Sequence, residues 1–319
     1  MAKPFASSSD TEAKSETLEV LADGVYALTA EGDPNVGAIE GKDFLVCVEA
    51  RATPAAARSW LKKLREHTDK PIKYLVLTHY HAVRVLGASE FGAESIITSD
   101  TTRKLIEERG KEDWDSEFGR MPRLFLEPEG IPGLTHPDIT FDKHARIDLG
   151  GDYGHLELDF CGRGHTAGDI AVWHPKTKTL FAGDLVEAQA ALYTGDAFHM
   201  DWSTHTLDNV KAYQAEALIG GRGAVARGRE AVDAAIDQTR EFLMGMRDNV
   251  KAVHDAQGTL REAFERTHAA LAPKFGMWPI FEHCLPFNVQ RLWDEYNGID
   301  WPRIWTMERD REVWAQLQD

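Results

Sequence analysis

Cysteine, long apolar runs and positive charge are scarce in this chain of 319 residues. Its three cysteines, Cys47, Cys161 and Cys284, form no CxxC pair, so neither a disulfide framework nor a cysteine-rich zinc site is indicated. No apolar run approaches the ~20 residues that a membrane-spanning helix needs. Residues 1–16 are polar and lack the apolar segment of a secretory signal. We therefore expect a cytoplasmic protein without a membrane partner, and a disordered tail over residues 1–16.

The shortage of positive charge bears on possible partners. The chain has 36 basic against 52 acidic residues, a formal net charge of −16, which repels a nucleic-acid backbone. It contains no G-x-S-x-G nucleophile elbow, and its glycine-rich stretches complete neither a dinucleotide-binding nor a phosphate-binding loop. The hydrophobic content of 43% is enough for a sizeable core. We expect a globular protein that acts on a small-molecule substrate and has no nucleic-acid partner.

Two regions differ in their patterning. Up to residue 228, short apolar stretches bounded by glycine and aspartate predict strands, and helical periodicity or capping predicts helices over residues 53–66 and 99–112. Residues 115–137 show no period and predict a long loop, a feature that tends to be functional. Beyond residue 228 the apolar residues recur at helical spacing. We expect an α/β domain over residues 17–228 and a C-terminal helical extension over residues 229–319.

Histidines and a carboxylate follow three of the predicted strands. His79 and His81 come directly after a nearly continuous apolar run at residues 72–77, which is typical of a buried strand. His165 follows the strand that ends at Phe160, and Asp184 follows the next hairpin. Imidazole is a common ligand of zinc and similar metals. Three histidines and a carboxylate at strand ends therefore predict a metal site at one edge of a sheet.

With these motifs the sequence resembles the metallo-β-lactamase-fold hydrolases over about residues 18–228. The segments that carry the resemblance are Asn35-Val36-Gly37, Ile39-Glu40-Gly41, Thr78-His79-Tyr80-His81, Gly164-His165-Thr166-Ala167-Gly168-Asp169 and Gly183-Asp184. The resemblance implies a four-layered αββα sandwich with the metal site at one edge. It also implies that His79, His81 and His165 bind the first metal ion and that Asp184 bridges two ions.

The sequence departs from the family pattern at the second metal. In place of H-x-H-x-D-H it has Val83 and Arg84 at the aspartate and final histidine positions, and Arg222 stands where a last histidine is expected. All three losses fall on the second ion, so we expect one metal per chain. The guanidinium groups of Arg84 and Arg222 would replace the missing positive charge beside Asp184. They would brace this carboxylate or contact an anionic group of the substrate.

We therefore expect a metal-dependent hydrolase with one divalent ion, zinc being the expected metal and iron the alternative. His79, His81, His165 and Asp184 are the predicted ligands, and Asp184, Arg84 and Arg222 the predicted catalytic residues. Val83 cannot hold the attacking water as the missing aspartate would, so any base must come from elsewhere. A mono-iron oxygenase on the same fold and a catalytically silent metal-binding or regulatory protein are the alternatives. The aromatic-rich extension is expected to cover the site or to form a homodimer contact.

A few further residues are candidates for supporting or catalytic roles at the same site. Asp169 follows the segment that carries His165 and is expected to support the metal ligands rather than to act as the base. Asp196, His199 and His205 follow Asp184 in a loop that lines the pocket in this fold, and each is a weak candidate for a base or substrate contact. His283, in the extension, is a further candidate for the pocket, although a packed core histidine is the more common role for such a residue.

Overall fold

The computed structural model describes residues 5–318, and its thirteen strands form two sheets. The first sheet has seven strands in sequence order, β1 to β7, and the second has six in the order β13-β12-β11-β10-β9-β8. The strands are β1 Thr17–Ala22, β2 Val25–Ala30, β3 Asp33–Glu40, β4 Leu45–Val48, β5 Ile72–Val76, β6 Ser95–Ser99, β7 Ile139–Phe141, β8 His144–Asp148, β9 His155–Phe160, β10 Ile170–His174, β11 Thr179–Gly183, β12 Ala217–Gly220 and β13 Ala226–Arg227.

Nine α-helical segments connect and cover the sheets within residues 5–318. They are α1 Pro54–Leu64, α2 Ala82–Val85, α3 Asp100–Arg120, α4 His199–Asp201, α5 Leu207–Ala212, α6 Arg229–Asp255, α7 Leu260–Phe275, α8 Phe281–Tyr296 and α9 Met307–Gln318. The side chains of Thr53 and Ser99 cap the first turns of α1 and α3, as hydroxyl residues commonly do at helix starts. Among these residues, no helix is long and apolar enough to cross a membrane.

The two sheets pack face to face, and alternation along their strands explains the layering. In β4, Val46 and Val48 point into the core between the sheets, whereas Leu45 and Cys47 join the core formed with α1. Helices α1 and α3 lie outside the first sheet, and α5 and α6 lie outside the second. The predicted four-layered αββα sandwich is confirmed.

The C-terminal helices continue the outer layer of the second sheet. Helices α6, α7 and α8 pack on one another, and α9 reaches α3, where Asp310 accepts a hydrogen bond of 2.6 Å from Ser116. Asn288 of α8 bonds to the backbone of Leu192 and Thr194 in the loop that follows β11. The predicted helical extension is present, and it shares one hydrophobic core with the second sheet.

Two segments depart from the sequence-based picture. Helix α3 continues to Arg120, so the predicted loop at 115–137 is wrong for residues 115–120, and the irregular segment begins at Met121. The predicted disordered tail covers residues 1–4, which lie outside the described residues, and residues 5–16. In the latter, Phe5 packs against the ring of Trp314 with centroids 5.4 Å apart, and Glu16 forms an ion pair with Arg51.

Candidate metal centre

Three histidines meet at one edge of the sandwich. His79 and His81 lie in the turn after β5, and His165 lies in the turn after β9. All three are buried, and one ring nitrogen of each lies within 4.8 Å of the other two. His81 Nδ1 and His165 Nε2 are 2.9 Å apart. The structure therefore brings together the three histidines that the sequence predicts as metal ligands.

The opposite nitrogen of each imidazole is held by a neighbour. His79 Nδ1 lies 2.9 Å from Thr78 Oγ1, and His165 Nδ1 donates to the Tyr193 carbonyl at 2.8 Å. His81 Nε2 lies 3.3 Å from Asp196 Oδ2. Such partners orient the rings of metal-binding histidines.

One atom of the cluster points to a ligand more directly. His79 Nε2 is buried and has no hydrogen-bond partner among residues 5–318, and it lies 3.7 Å from Asp184 Oδ2. An unpaired polar atom in a buried place costs free energy unless something else binds it. A neutral donor set of three imidazoles with this orphaned nitrogen fits a divalent metal ion.

Asp184, at the end of β11, is bound by two guanidinium groups. Arg84 Nη2 forms a short ion pair with Asp184 Oδ1, and Arg222 Nη1 lies 3.0 Å from Asp184 Oδ2. Arg222 Nη1 also lies 2.9 Å from Glu187 Oε1. All four side chains are at most 5% exposed. The two arginines thus balance the charges of two buried carboxylates.

The pKa values of the two carboxyl groups are shifted in opposite directions. Burial alone would raise the pKa of Asp184, but Arg84 and Arg222 hold it well below its usual value, so this group stays charged. Burial dominates at Glu187 and raises its pKa to about 7, although Arg222 opposes the shift.

Glycine allows the chain to pass this close to the ion pair. A Cβ atom on Gly221 would lie 1.8 Å from Asp184 Oδ1 and 2.7 Å from Arg84 Nη2. At Gly183 the backbone has φ +53°, and a Cβ there would meet Thr78 Oγ1 at 2.4 Å. The Asn35 amide donates to the carbonyls of Gly220 and Gly223, both at 3.0 Å, and so fixes the loop that carries Arg222.

The histidines differ in their affinity for protons. Burial would lower the pKa of His81, but the carboxylates of Asp113 and Asp196 raise it to about 9. Burial is the main cause that lowers the pKa of His165 to about 3 and keeps that of His79 well below its usual value, although the charge of Asp184 opposes both shifts. Without a metal, His81 is therefore the protonated member of the set at neutral pH.

The structure assigns places to the weaker candidates. Asp169 accepts hydrogen bonds from the backbone and hydroxyl of Thr166, both at 2.7 Å, and thereby holds the turn that carries His165. His199 is buried and bonded on both ring nitrogens, and His205 is exposed. Asp196 lies beside His81.

Other residues at the centre were missed by the sequence reasoning. Glu187 lacks any motif of its own. Asp113 accepts a hydrogen bond of 2.6 Å from the backbone of Ala82 and thus braces the turn after His81. Tyr193 contributes a backbone carbonyl, which no side-chain pattern can reveal.

A small cavity adjoins the cluster of the three histidines. The space open to the centre of a water-sized sphere is about 10 Å³, which is close to the minimum for one water molecule. Its lining comes from the sandwich and from the extension: His81, Val83, Glu117, Met121, Asp184, Tyr193, Arg222, Ile280, His283 and Cys284. The extension therefore forms part of the cavity wall beside the three histidines.

Comparisons with known proteins agree with this fold. The sequence profile of the metallo-beta-lactamase superfamily matches residues 30–222. A type 2 metallo-beta-lactamase of Elizabethkingia meningoseptica is 31% identical over 205 residues, which are 61% of this chain and 72% of that protein. A linear primary-alkylsulfatase of a Pseudomonas species is 22% identical over 248 residues, which are 66% of this chain and 45% of that protein. The alpha subunit of a 2,4-dinitroanisole O-demethylase of a Nocardioides species is 24% identical over 189 residues, which are 58% of this chain and 49% of that subunit.

This chain thus spans about half the length of the alkylsulfatase and of the demethylase subunit. Among solved structures, the sec-alkyl sulfatase PisA1 superposes with a TM-score of 0.71 at 16% identity, covering 89% of this chain and 50% of that one. The DIM-1 metallo-beta-lactamase superposes with a TM-score of 0.56 at 20% identity, covering 73% of this chain and 99% of that one. The profile match spans more than half of the chain and includes the three histidines. The chain belongs to the metallo-beta-lactamase superfamily.

Proposed function

We propose that this protein is a hydrolase that binds one metal ion, zinc, through His79, His81 and His165. The observation that carries the proposal is the orientation of the three rings. One nitrogen of each ring points toward the other two rings, and the opposite nitrogens are held by Thr78, Asp196 and the Tyr193 carbonyl. His79 Nε2 has no hydrogen-bond partner among residues 5–318.

A bound zinc ion would lower the pKa of water and polarise the bond to be cleaved. The residues of the chain supply the rest. The three histidines hold the ion, and the charged Asp184 lies beside them, with Oδ2 at 3.5 Å from His165 Nε2. Arg84 and Arg222 neutralise Asp184 and Glu187 without a second cation. This charge balance supports a single-ion site.

Both arginines engage carboxylates inside the protein, which favours a bracing role. Arg84 also donates to the Gly221 carbonyl at 2.8 Å. Direct contact of Arg84 or Arg222 with substrate remains a prediction of the sequence. Asp184 as a fourth metal ligand or as a base is likewise part of the proposal.

We further propose a small ester as the substrate, with sulfate esters first among the candidates. One relative is named an alkylsulfatase, and the sec-alkyl sulfatase likeness covers 89% of this chain, more than the lactamase likeness does. A mono-iron oxygenase is the second candidate, because Asp184 Oδ2 lies within 3.7 Å of two histidine nitrogens and histidine with carboxylate ligation suits non-haem iron.

One set of measurements tests these proposals together. Protein purified without chelator is analysed for zinc and iron. It is then assayed with p-nitrophenyl acetate, sulfate and phosphate and with a primary alkyl sulfate, alongside an oxygen electrode. The His165→Ala variant is the matched negative control. We expect about one zinc per chain and hydrolysis that is lost in the control.

Oxygen uptake with bound iron would favour the oxygenase instead, and absence of stoichiometric metal would favour a silent binding protein. A homodimer in the cytoplasm also belongs to the proposal. Light scattering at micromolar concentration tests the dimer.

A further inference from the structure

His283, near the start of α8, is a buried histidine with an unusual environment. His283 is only 3% exposed. Among residues 5–318, its Nδ1 is buried and has no hydrogen-bond partner. The ring of Phe287 lies 6.0 Å from its ring.

Another histidine shows how the same fold treats a structural imidazole. His199 is also buried, but its Nδ1 lies 3.2 Å from Glu295 Oε2 and its Nε2 lies 2.8 Å from Thr194 Oγ1. Buried polar groups are nearly always hydrogen-bonded, and exceptions need an explanation such as a catalytic role or a bound water. His199 follows this rule, whereas His283 does not.

The position of His283 supplies the explanation. It lines the small cavity beside the three histidines, together with His81, Asp184 and Val83. The cavity has room for about one water molecule. Val83 is apolar and occupies the place of the family's water-holding aspartate, so the sandwich itself offers no hydrogen-bond acceptor at that position.

We propose that His283 is a further catalytic residue, which accepts a hydrogen bond from the attacking water and thereby orients it in place of the aspartate that Val83 replaces. This inference rests on the proposed hydrolytic function. The oxygen of that water forms the new bond to the central atom of the ester, and the bond from that atom to the leaving oxygen breaks. One proton of the water passes to the leaving oxygen, and the other stays on the new hydroxyl of the acid product.

The charges around the ring are consistent with an acceptor. Burial, and then the nearby Arg120 and Arg222, keep the pKa of His283 well below its usual value, so the ring is neutral. A neutral imidazole carries one free lone pair, which is the group that a water molecule can bind.

The test compares His283→Phe with His199→Phe, each measured without metal and with zinc. Urea unfolding of the metal-free proteins should show an unchanged or raised midpoint for His283→Phe, because Nδ1 of His283 has no hydrogen bond to lose. His199→Phe should show a lowered midpoint. Zinc content should match the wild-type protein in His283→Phe.

The kinetic arm uses whichever p-nitrophenyl or alkyl ester the wild-type protein hydrolyses. In His283→Phe, kcat should fall by about 100-fold, the usual scale for loss of a group that assists proton transfer or orients water. His283→Gln, which retains an acceptor oxygen, should recover part of kcat.

The outcomes separate the two proposals. If His283→Phe loses stability as His199→Phe does, or if it keeps full kcat, the role of His283 is refuted while hydrolysis stands. A wild-type protein that binds zinc but hydrolyses none of these esters refutes the proposed function itself, and the role of His283 with it.

Discussion

Removing Arg84 should destabilise the protein far more than removing an exposed arginine. Arg84 is 0% exposed and its partner Asp184 is 2% exposed, so Arg84→Ala leaves a buried carboxylate with one cation fewer. Breaking a buried ion pair costs about 3–5 kcal/mol, and because Arg222 remains bound to Asp184 we expect the lower end, about 3 kcal/mol. With an m-value near 3 kcal/mol/M in urea, the unfolding midpoint should fall by about 1 M.

The matched control is Arg58→Ala. Arg58 also makes two hydrogen bonds to a carboxylate, Glu90, but its side chain is 60% exposed and solvent screens the pair. We expect little change in its midpoint. Both variants are measured by circular dichroism on the metal-free protein at pH 7.

The pH dependence checks that the charge of Asp184 is the cause. Burial would raise the pKa of Asp184, but Arg84 and the other positive neighbours hold it well below its usual value. A depressed pKa contributes stability above the unfolded-state pKa of about 3.9 and loses it as the pH falls through the folded value. The difference between wild type and Arg84→Ala should therefore be full at pH 7 and shrink in strong acid. Equal midpoints for the Arg84 and Arg58 variants would refute the reasoning.

Three further predictions concern the metal. His165→Ala should lower zinc affinity by at least ~10–100-fold while the fold is retained, and unchanged zinc content in dialysed protein would remove His165 from the ligand set. Val83→Asp, Arg84→His and Arg222→His together should create a second zinc site, seen as two ions per chain by elemental analysis; a folded variant that still holds one ion at excess zinc would contradict the assignment of these positions. Because the pKa of His81 is about 9 without metal, zinc must displace its proton, so affinity should rise with pH from about 6.5 to 9. Calorimetry in buffers of different ionisation enthalpy should then detect about one proton released at pH 7, and buffer-independent heats would exclude it.

Much of this architecture is readable from local patterns. The apolar run at residues 72–77 coincides with β5, and the strand predicted to end at Phe160 is β9. Thr53 and Ser99 mark the starts of α1 and α3. The histidines lie directly after strands, and strands that share a sheet edge bring their following turns together. The sequence alone could therefore predict residues 79, 81 and 165 as metal ligands. It could also predict that the departures from the family pattern at 83, 84 and 222 all affect the second metal.

Local patterns fail where the buried surface is polar. Helix α3 extends beyond its predicted end because Asp113, Ser116, Glu117 and Arg120 face inward and find partners such as the Ala82 backbone and Asp310. A polar inner face has no hydrophobic period, so its last turns resemble a loop in the sequence.

Only the tertiary structure decides the surroundings of the cluster. Glu187 binds Arg222 across 35 residues, and Asp196 binds His81 across 115 residues. His283 reaches the cavity because Asn288, one and a half turns further along α8, ties this helix to the loop after β11. Such contacts depend on how segments that are distant in the sequence pack together. The sequence around each partner therefore gives no sign of them. The sequence by itself determined which side chains of metal-binding type follow the strands. The fold alone determined that His283 of the extension lines the same cavity as Val83 and His81.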